Sequence, residues 1–145
     1  MFVFAPAPQA VVPVAGEKDL YFPVNRVYCV GRNYAEHDRE MGGTGKTTPC
    51  FFSKAPDALV SIAHGVTARV PYPQHTENLQ HEVELVVAVG KGGKNITPEE
   101  ADAAIWGWAV GVDLTRRDLQ AAAKAKGFPW TSAKSFDFSG PVSHL

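Results

Sequence analysis

Two carboxylates one residue apart lead into an apolar run, His81-Glu82-Val83-Glu84-Leu85-Val86-Val87-Ala88-Val89. The β-branched content of Leu85 to Val89 predicts a buried strand. Side chains alternate faces along a strand, so Glu82 and Glu84 point the same way. Two like charges at the entrance to a core repel each other and resist desolvation, and a hard divalent cation would compensate both. A second apolar run, Ala109-Val110-Gly111-Val112, ends in Asp113, a third carboxylate at a strand end. Three carboxylates with no nearby cysteine suit Mg²⁺ or Mn²⁺ better than Zn²⁺. Taken singly, Glu82-Val83-Glu84 reads as a solvated strand face and Asp113 as a turn residue or helix cap. Their conjunction raises the metal reading. His75 and His81 are candidate nitrogen donors, with His81 ranked as a residue that supports the ligands or is structural.

The elements that would carry these groups follow from periodicity and punctuation. Residues 1–25 read as a loose, Pro-rich lead-in. Strands are predicted at 26–30, 50–54, 66–70, 82–89, 106–112 and 130–136, the fifth broken by Gly107 and Gly111. A short polar helix is predicted over 33–41, followed by a Gly/Thr loop at 42–49. Thr97-Pro98-Glu99-Glu100 is a helix start, with Thr97 as cap, Pro98 in the first turn and Glu100 closing a capping box. Thr115 with Asp118 reads as a second capped start, for a helix that Gly127 stops. Strands outnumber helices, so the fold class expected is a β-rich α+β arrangement.

A chain of 145 residues suits one domain with its own core. Fourteen basic residues are scattered among fifteen acidic ones for a net charge of −1, which argues against nucleic acid and anionic membranes as partners. No segment is long and apolar enough to span a bilayer, and the N-terminus lacks the basic region of a signal peptide. Cys29 and Cys50 lie in apolar runs and read as small buried thiols, which suits a cytoplasmic chain. Trp106, Trp108 and Trp130 read as core. Gly42-Gly43-Thr44-Gly45-Lys46-Thr47 imitates a phosphate-binding loop, but the Gly required five positions before Gly45 is Glu40. A mobile loop with Gly hinges is the better reading.

Four stretches in order, Tyr28–Met41, Asn78–Leu85, Gly111–Gln120 and Gly127–Asp137, resemble the fumarylacetoacetate hydrolase family, and within it the short acylpyruvase and fumarylpyruvate hydrolase branch. The resemblance runs from about Leu20 to Leu145 and implies a catalytic domain over 26–145. It implies a mixed β-sandwich roll, dimeric as a homodimer. Family members continue past the position of Leu145, so a roll incomplete on its C-terminal side is expected.

The resemblance assigns Mg²⁺ or Mn²⁺ to Glu82, Glu84 and Asp113. It makes His37 and Glu40 a water-activating pair, Lys134 a lysine near the metal, and Arg32, Arg117 and Gln120 substrate contacts. His37 and Glu40 are three apart, as are Arg117 and Gln120, so each pair shares a helix face. The implied substrate is a 2,4-diketo acid, fumarylpyruvate first among them. Water activated by His37 would attack C4, and breaking C3–C4 would leave a pyruvate enolate stabilised by the metal and Lys134. Two other readings stay open: oxaloacetate decarboxylation on the same metal, and a non-catalytic metal-binding domain.

Overall fold

The computed structural model describes every residue except Met41 and Thr47, and only the backbone of His37. The sequence expectations that include Met41 and Thr47, the helix end and the Gly/Thr loop, lie at those points outside the described residues. The fold is strand-rich α+β, as expected. A four-stranded sheet has the order β5-β8-β7-β6, with β5 (Leu59–Ser61), β6 (Leu79–Val89), β7 (Ile105–Arg116) and β8 (Gly140–Val142). β6 and β7 run antiparallel as a long ribbon, and β5 lies parallel to β8. Two antiparallel ribbons accompany this sheet: β1 (Val11–Pro13) with β2 (Tyr21–Pro23), and β3 (Val27–Gly31) with β4 (Cys50–Lys54).

Several local expectations hold for the reasons given. α2 (Pro98–Ala104) starts on a complete capping box, with the Thr97 hydroxyl accepting from the Glu100 amide and the Glu100 carboxylate accepting from the Thr97 amide. α3 (Arg117–Lys126) ends at Gly127, whose φ of 67° is the left-handed conformation that glycine adopts without penalty. α1 (Ala35–Glu40) and strand β4 also fall where the sequence places them.

Other expectations are corrected. The segment 130–136 is not a strand: Thr131–Lys134 forms one helical turn, α4, with the Ala133 and Lys134 amides donating to the Trp130 carbonyl. A single turn is too short to show a helical period. Residues 66–70 form no strand; the strand in that region is β5, only three residues long. β7 is one continuous strand, although its register with β6 shifts between Ala88 and Val89, opposite Gly107 and Ile105. At Gly111 a Cβ would stand 2.7 Å from Val86 Cγ2, so glycine there permits close strand approach rather than a break. Thr115 does not cap α3; it is buried in β7, and the cap position is Arg116. The lead-in is not wholly loose either, because the β1–β2 hairpin brings Val12 into a core with Ala109 and Val142.

The tryptophans are not core. Trp108 is 52% exposed and Trp106 48%, while Trp130 is half-buried against Phe52. Alternation explains it. Glu82, Glu84, Val86 and Ala88 face one side of β6, whereas Val83, Leu85, Val87 and Val89 face the other and join Trp108 and Val110 in an exposed apolar patch. Patches of this kind mark interaction surfaces. Cys29 and Cys50 are free and half-buried rather than fully buried.

Candidate active site

The β6–β7 register creates the site. Glu82 pairs with Asp113 and Glu84 with Gly111, so the three carboxylates project from one face of the ribbon, two strands wide. Lys134 enters from α4. Its Nζ lies 2.6 Å from Glu82 Oε2, 2.7 Å from Asp113 Oδ2 and 2.6 Å from Thr115 Oγ1. Lys134 is 2% exposed and Thr115 fully buried, so the ammonium is removed from water and all three of its donors are spent on the protein.

Arg117, the first residue of α3, ion-pairs with Glu82 Oε1 and donates through Nε to Gln80 Oε1 at 2.8 Å and through Nη1 to Gln120 Oε1 at 2.6 Å. The (i, i+3) spacing does bring Arg117 and Gln120 together. Midway along β6, the Tyr34 hydroxyl accepts from the Leu85 amide at 3.4 Å and hydrogen-bonds Glu84. That contact docks the segment leading into α1 beside the carboxylates. His37 and Glu40 both lie on α1; the His37 side chain is outside the described residues, and Glu40 is exposed. Arg32 is exposed just past β3 with a φ of 61°, and among the described residues it makes no hydrogen bond or ion pair with the cluster.

Electrostatics divides the two glutamates. Burial alone would raise the Glu82 carboxyl, but Lys134 and then Arg117 outweigh it and hold the group below its ordinary value. Glu84 goes the other way. Burial pushes it up, the Tyr34 hydrogen bond partly opposes this, and the negative charges of Glu82 and Asp113 push it further. Cys29 faces the same cluster, and burial, then Asp113, drives its thiol up to about 11.

The sequence reading missed Lys54, Thr115 and Tyr34. Lys54 ends β4 and is 4% exposed, with Nζ 2.9 Å from Asp113 Oδ1; burial pulls its ammonium below the ordinary value and Asp113 opposes this. The available signal was a lone lysine closing the apolar run Cys50–Ser53, too weak to act on without the fold.

The donor set fits a hard divalent cation. Its three carboxylates offer hard oxygen donors from one ribbon face, and the buried Asp113 Oδ1 has the Lys54 ammonium at 2.9 Å as its charge partner. As the side chains stand, no three His, Cys, Asp or Glu groups among the described residues converge into a finished cage; Lys134 bridges Glu82 and Asp113 instead. No helix is long and apolar enough to cross a membrane among those residues.

The frame is strand-rich, with acidic groups on one ribbon face beside a helical lysine, and comparison with known proteins gives its family. The chain belongs to the fumarylacetoacetate hydrolase family, because the family profile described as fumarylacetoacetate (FAA) hydrolase C-terminal matches residues 26–145. Among solved structures, it is similar to fumarylpyruvate hydrolase from Pseudomonas aeruginosa in complex with Mn²⁺ and pyruvate, at 48% identity and a TM-score of 0.96 over 100% of this chain and 62% of that one. Among curated relatives, the Escherichia coli oxaloacetate tautomerase YcgM is 40% identical over 86% of this chain and 55% of its own length. The Arabidopsis thaliana mitochondrial oxaloacetate tautomerase FAHD1 is 40% identical over 83% and 52%. The chain therefore spans about half the length of these relatives.

Proposed function

We propose that residues 26–145 are the catalytic domain of a metal-dependent hydrolase that cleaves a carbon–carbon bond in a 2,4-diketo acid, with fumarylpyruvate the first substrate to test. The carrying observation is the alignment of Glu82, Glu84 and Asp113 on one ribbon face with Lys134 between two of them. The neighbour that holds Mn²⁺ and pyruvate supports it. Glu82, Glu84 and Asp113 would hold Mg²⁺ or Mn²⁺, which supplies Lewis acidity toward keto oxygens when bound.

The chain's own residues account for the remaining work. His37, oriented by Glu40, takes a proton from water, and the hydroxide oxygen bonds to C4. The C3–C4 electron pair moves into a pyruvate enolate, which takes at C3 the proton that His37 removed from water, leaving fumarate and pyruvate. The Lys134 ammonium places positive charge where the enolate develops; with its donors already spent, it acts through its field unless one bond is released. Arg117, with Gln120 and Arg32, holds the substrate carboxylate. The active form is a homodimer in this reading.

A second reading has specific support, since a curated relative from Dictyostelium discoideum is named oxaloacetate decarboxylase, and several others are named for another reaction of oxaloacetate, its tautomerisation. Loss of CO₂ from oxaloacetate also yields pyruvate enolate but needs no activated water. Steady-state turnover of fumarylpyruvate and of oxaloacetate with Mn²⁺ tests both. His37→Ala should abolish hydrolysis and spare decarboxylation; survival of both activities removes His37 as the base. No turnover of either by a folded sample points to a non-catalytic metal-binding domain.

A further inference from the structure

The buried lysine that no motif singled out carries one more inference, which rests on the metal-site reading above. We propose that Lys54 is a positioning residue for cation binding: it fixes both the carboxylate of Asp113 and the backbone from which Lys134 reaches the site.

Three elements meet at its ammonium. Lys54 Nζ lies 2.9 Å from Asp113 Oδ1 on β7, 3.4 Å from the carbonyl of Leu114, and donates to the carbonyl of Lys134 at the end of α4. That last carbonyl also accepts from Ser139 Oγ at 3.2 Å. α4 has four residues, too few to hold itself as a helix, so tertiary contacts must set its height. Among them, the Lys54 clamp acts at the residue that bridges Glu82 and Asp113. Burying an ammonium is costly, and an apolar chain of the same length would fill the space without that cost. Placement of the carboxylate and of α4 accounts for a lysine here.

Position and charge predict opposite signs. Lys54 carries positive charge beside an Asp that would ligate a cation. As a mere counter-charge it would weaken cation binding, and removing it would tighten that binding. As a positioning group it would strengthen binding, because losing the partner that orients a ligand typically costs 10–100-fold in metal affinity.

The test is the Mn²⁺ dissociation constant of the full chain without substrate, from electron paramagnetic resonance of free Mn²⁺, for the unsubstituted protein and Lys54→Met. Weakening of about 10–100-fold with circular dichroism unchanged supports the proposal. Equal or tighter binding overturns it. If Lys54→Met does not fold, Lys54→Arg is measured. The Arg variant keeps the charge, but its planar fork cannot reproduce the three contacts made from one nitrogen. Weakening of about tenfold supports positioning, and a constant within about twofold of the unsubstituted value overturns it. If the unsubstituted chain binds no Mn²⁺, the metal-site reading itself fails, an outcome distinct from failure of the role of Lys54.

Discussion

Lys134→Met removes the ammonium that ties Glu82, Asp113 and Thr115 together while keeping most of the side-chain volume. Taking one partner from a buried ion pair costs about 3–5 kcal/mol, because the other charge is left uncompensated. Two features of the structure reduce that figure. Asp113 keeps Lys54 at 2.9 Å, and Glu82 keeps Arg117 while its side chain remains 23% exposed to screening solvent. A loss of about 2–4 kcal/mol at pH 7 is therefore expected in the metal-free protein. At about 3 °C per kcal/mol for a chain of this size, that is a fall of roughly 6–12 °C in Tm. The dependence on pH follows from Glu82. Its folded value lies below its ordinary 4.5, burial opposing and Lys134 and Arg117 prevailing, so the stability it supplies is present above 4.5 and is lost as pH falls through the folded value. Lys134→Met raises that folded value, so the Tm gap between the two proteins should be widest at neutral pH and narrow below about pH 4.5. Scanning calorimetry from pH 7.5 to 3.5 checks both parts. A fall of less than about 2 °C at pH 7, or a gap that stays constant across the range, refutes the reasoning.

Glu84→Gln should separate binding from stability. Burial raises the Glu84 value, with Glu82 and Asp113 adding to it, so its charged form is a burden that eases as pH falls. The amide should leave the metal-free protein at least as stable at pH 7 while Mn²⁺ binding is lost, read by thermal unfolding and titration calorimetry. Clear destabilisation at pH 7 would contradict this account of Glu84. Cys29, with its thiol up to about 11, should alkylate with iodoacetamide at pH 7.5 roughly 100-fold or more slowly than an unperturbed thiol, followed by peptide mass mapping. A rate within about threefold of an unperturbed thiol would show that its burial is transient.

What could be read without coordinates was the chemistry carried by local spacing. The capping box at Thr97, the stop at Gly127 and the shared face of Glu82 and Glu84 need only their own neighbours, and all three stand. What failed needed long-range partners. The turn at α4 exists because Ala133 is fully buried, and nothing between Trp130 and Phe136 announces that. Thr115 has the residue type of a helix cap, yet Lys134, 19 residues away, claims its hydroxyl. The pairing of Asp113 with Glu82 is a register fact between strands; a one-residue slip would have put Asp113 on the opposite face. Lys54 reaches the site across 80 residues, through the carbonyl of Lys134, a separation over which single-sequence pattern says nothing.

The charge balance of this cluster has a consequence for how ligands bind. Glu82, Glu84 and Asp113 face Lys54, Lys134 and Arg117, three acids against three bases, so the site is close to neutral before any ligand arrives. A divalent cation alone would leave two uncompensated positive charges in a partly buried place, and a diketo dianion alone two negative ones. Together they restore balance, so each should raise the affinity of the other, and by thermodynamic linkage by the same factor. Oxalate is a suitable dianion for the test, because it carries two negative charges and no reactive carbon. The Mn²⁺ dissociation constant should tighten by about 5- to 150-fold in saturating oxalate, and oxalate binding should strengthen equally in saturating Mn²⁺. Independent binding of the two would mean that the charges of Lys54, Lys134 and Arg117 are not felt at the ligand position. The roles assigned to Lys134 and Arg117 toward an anionic substrate would then lose their electrostatic basis.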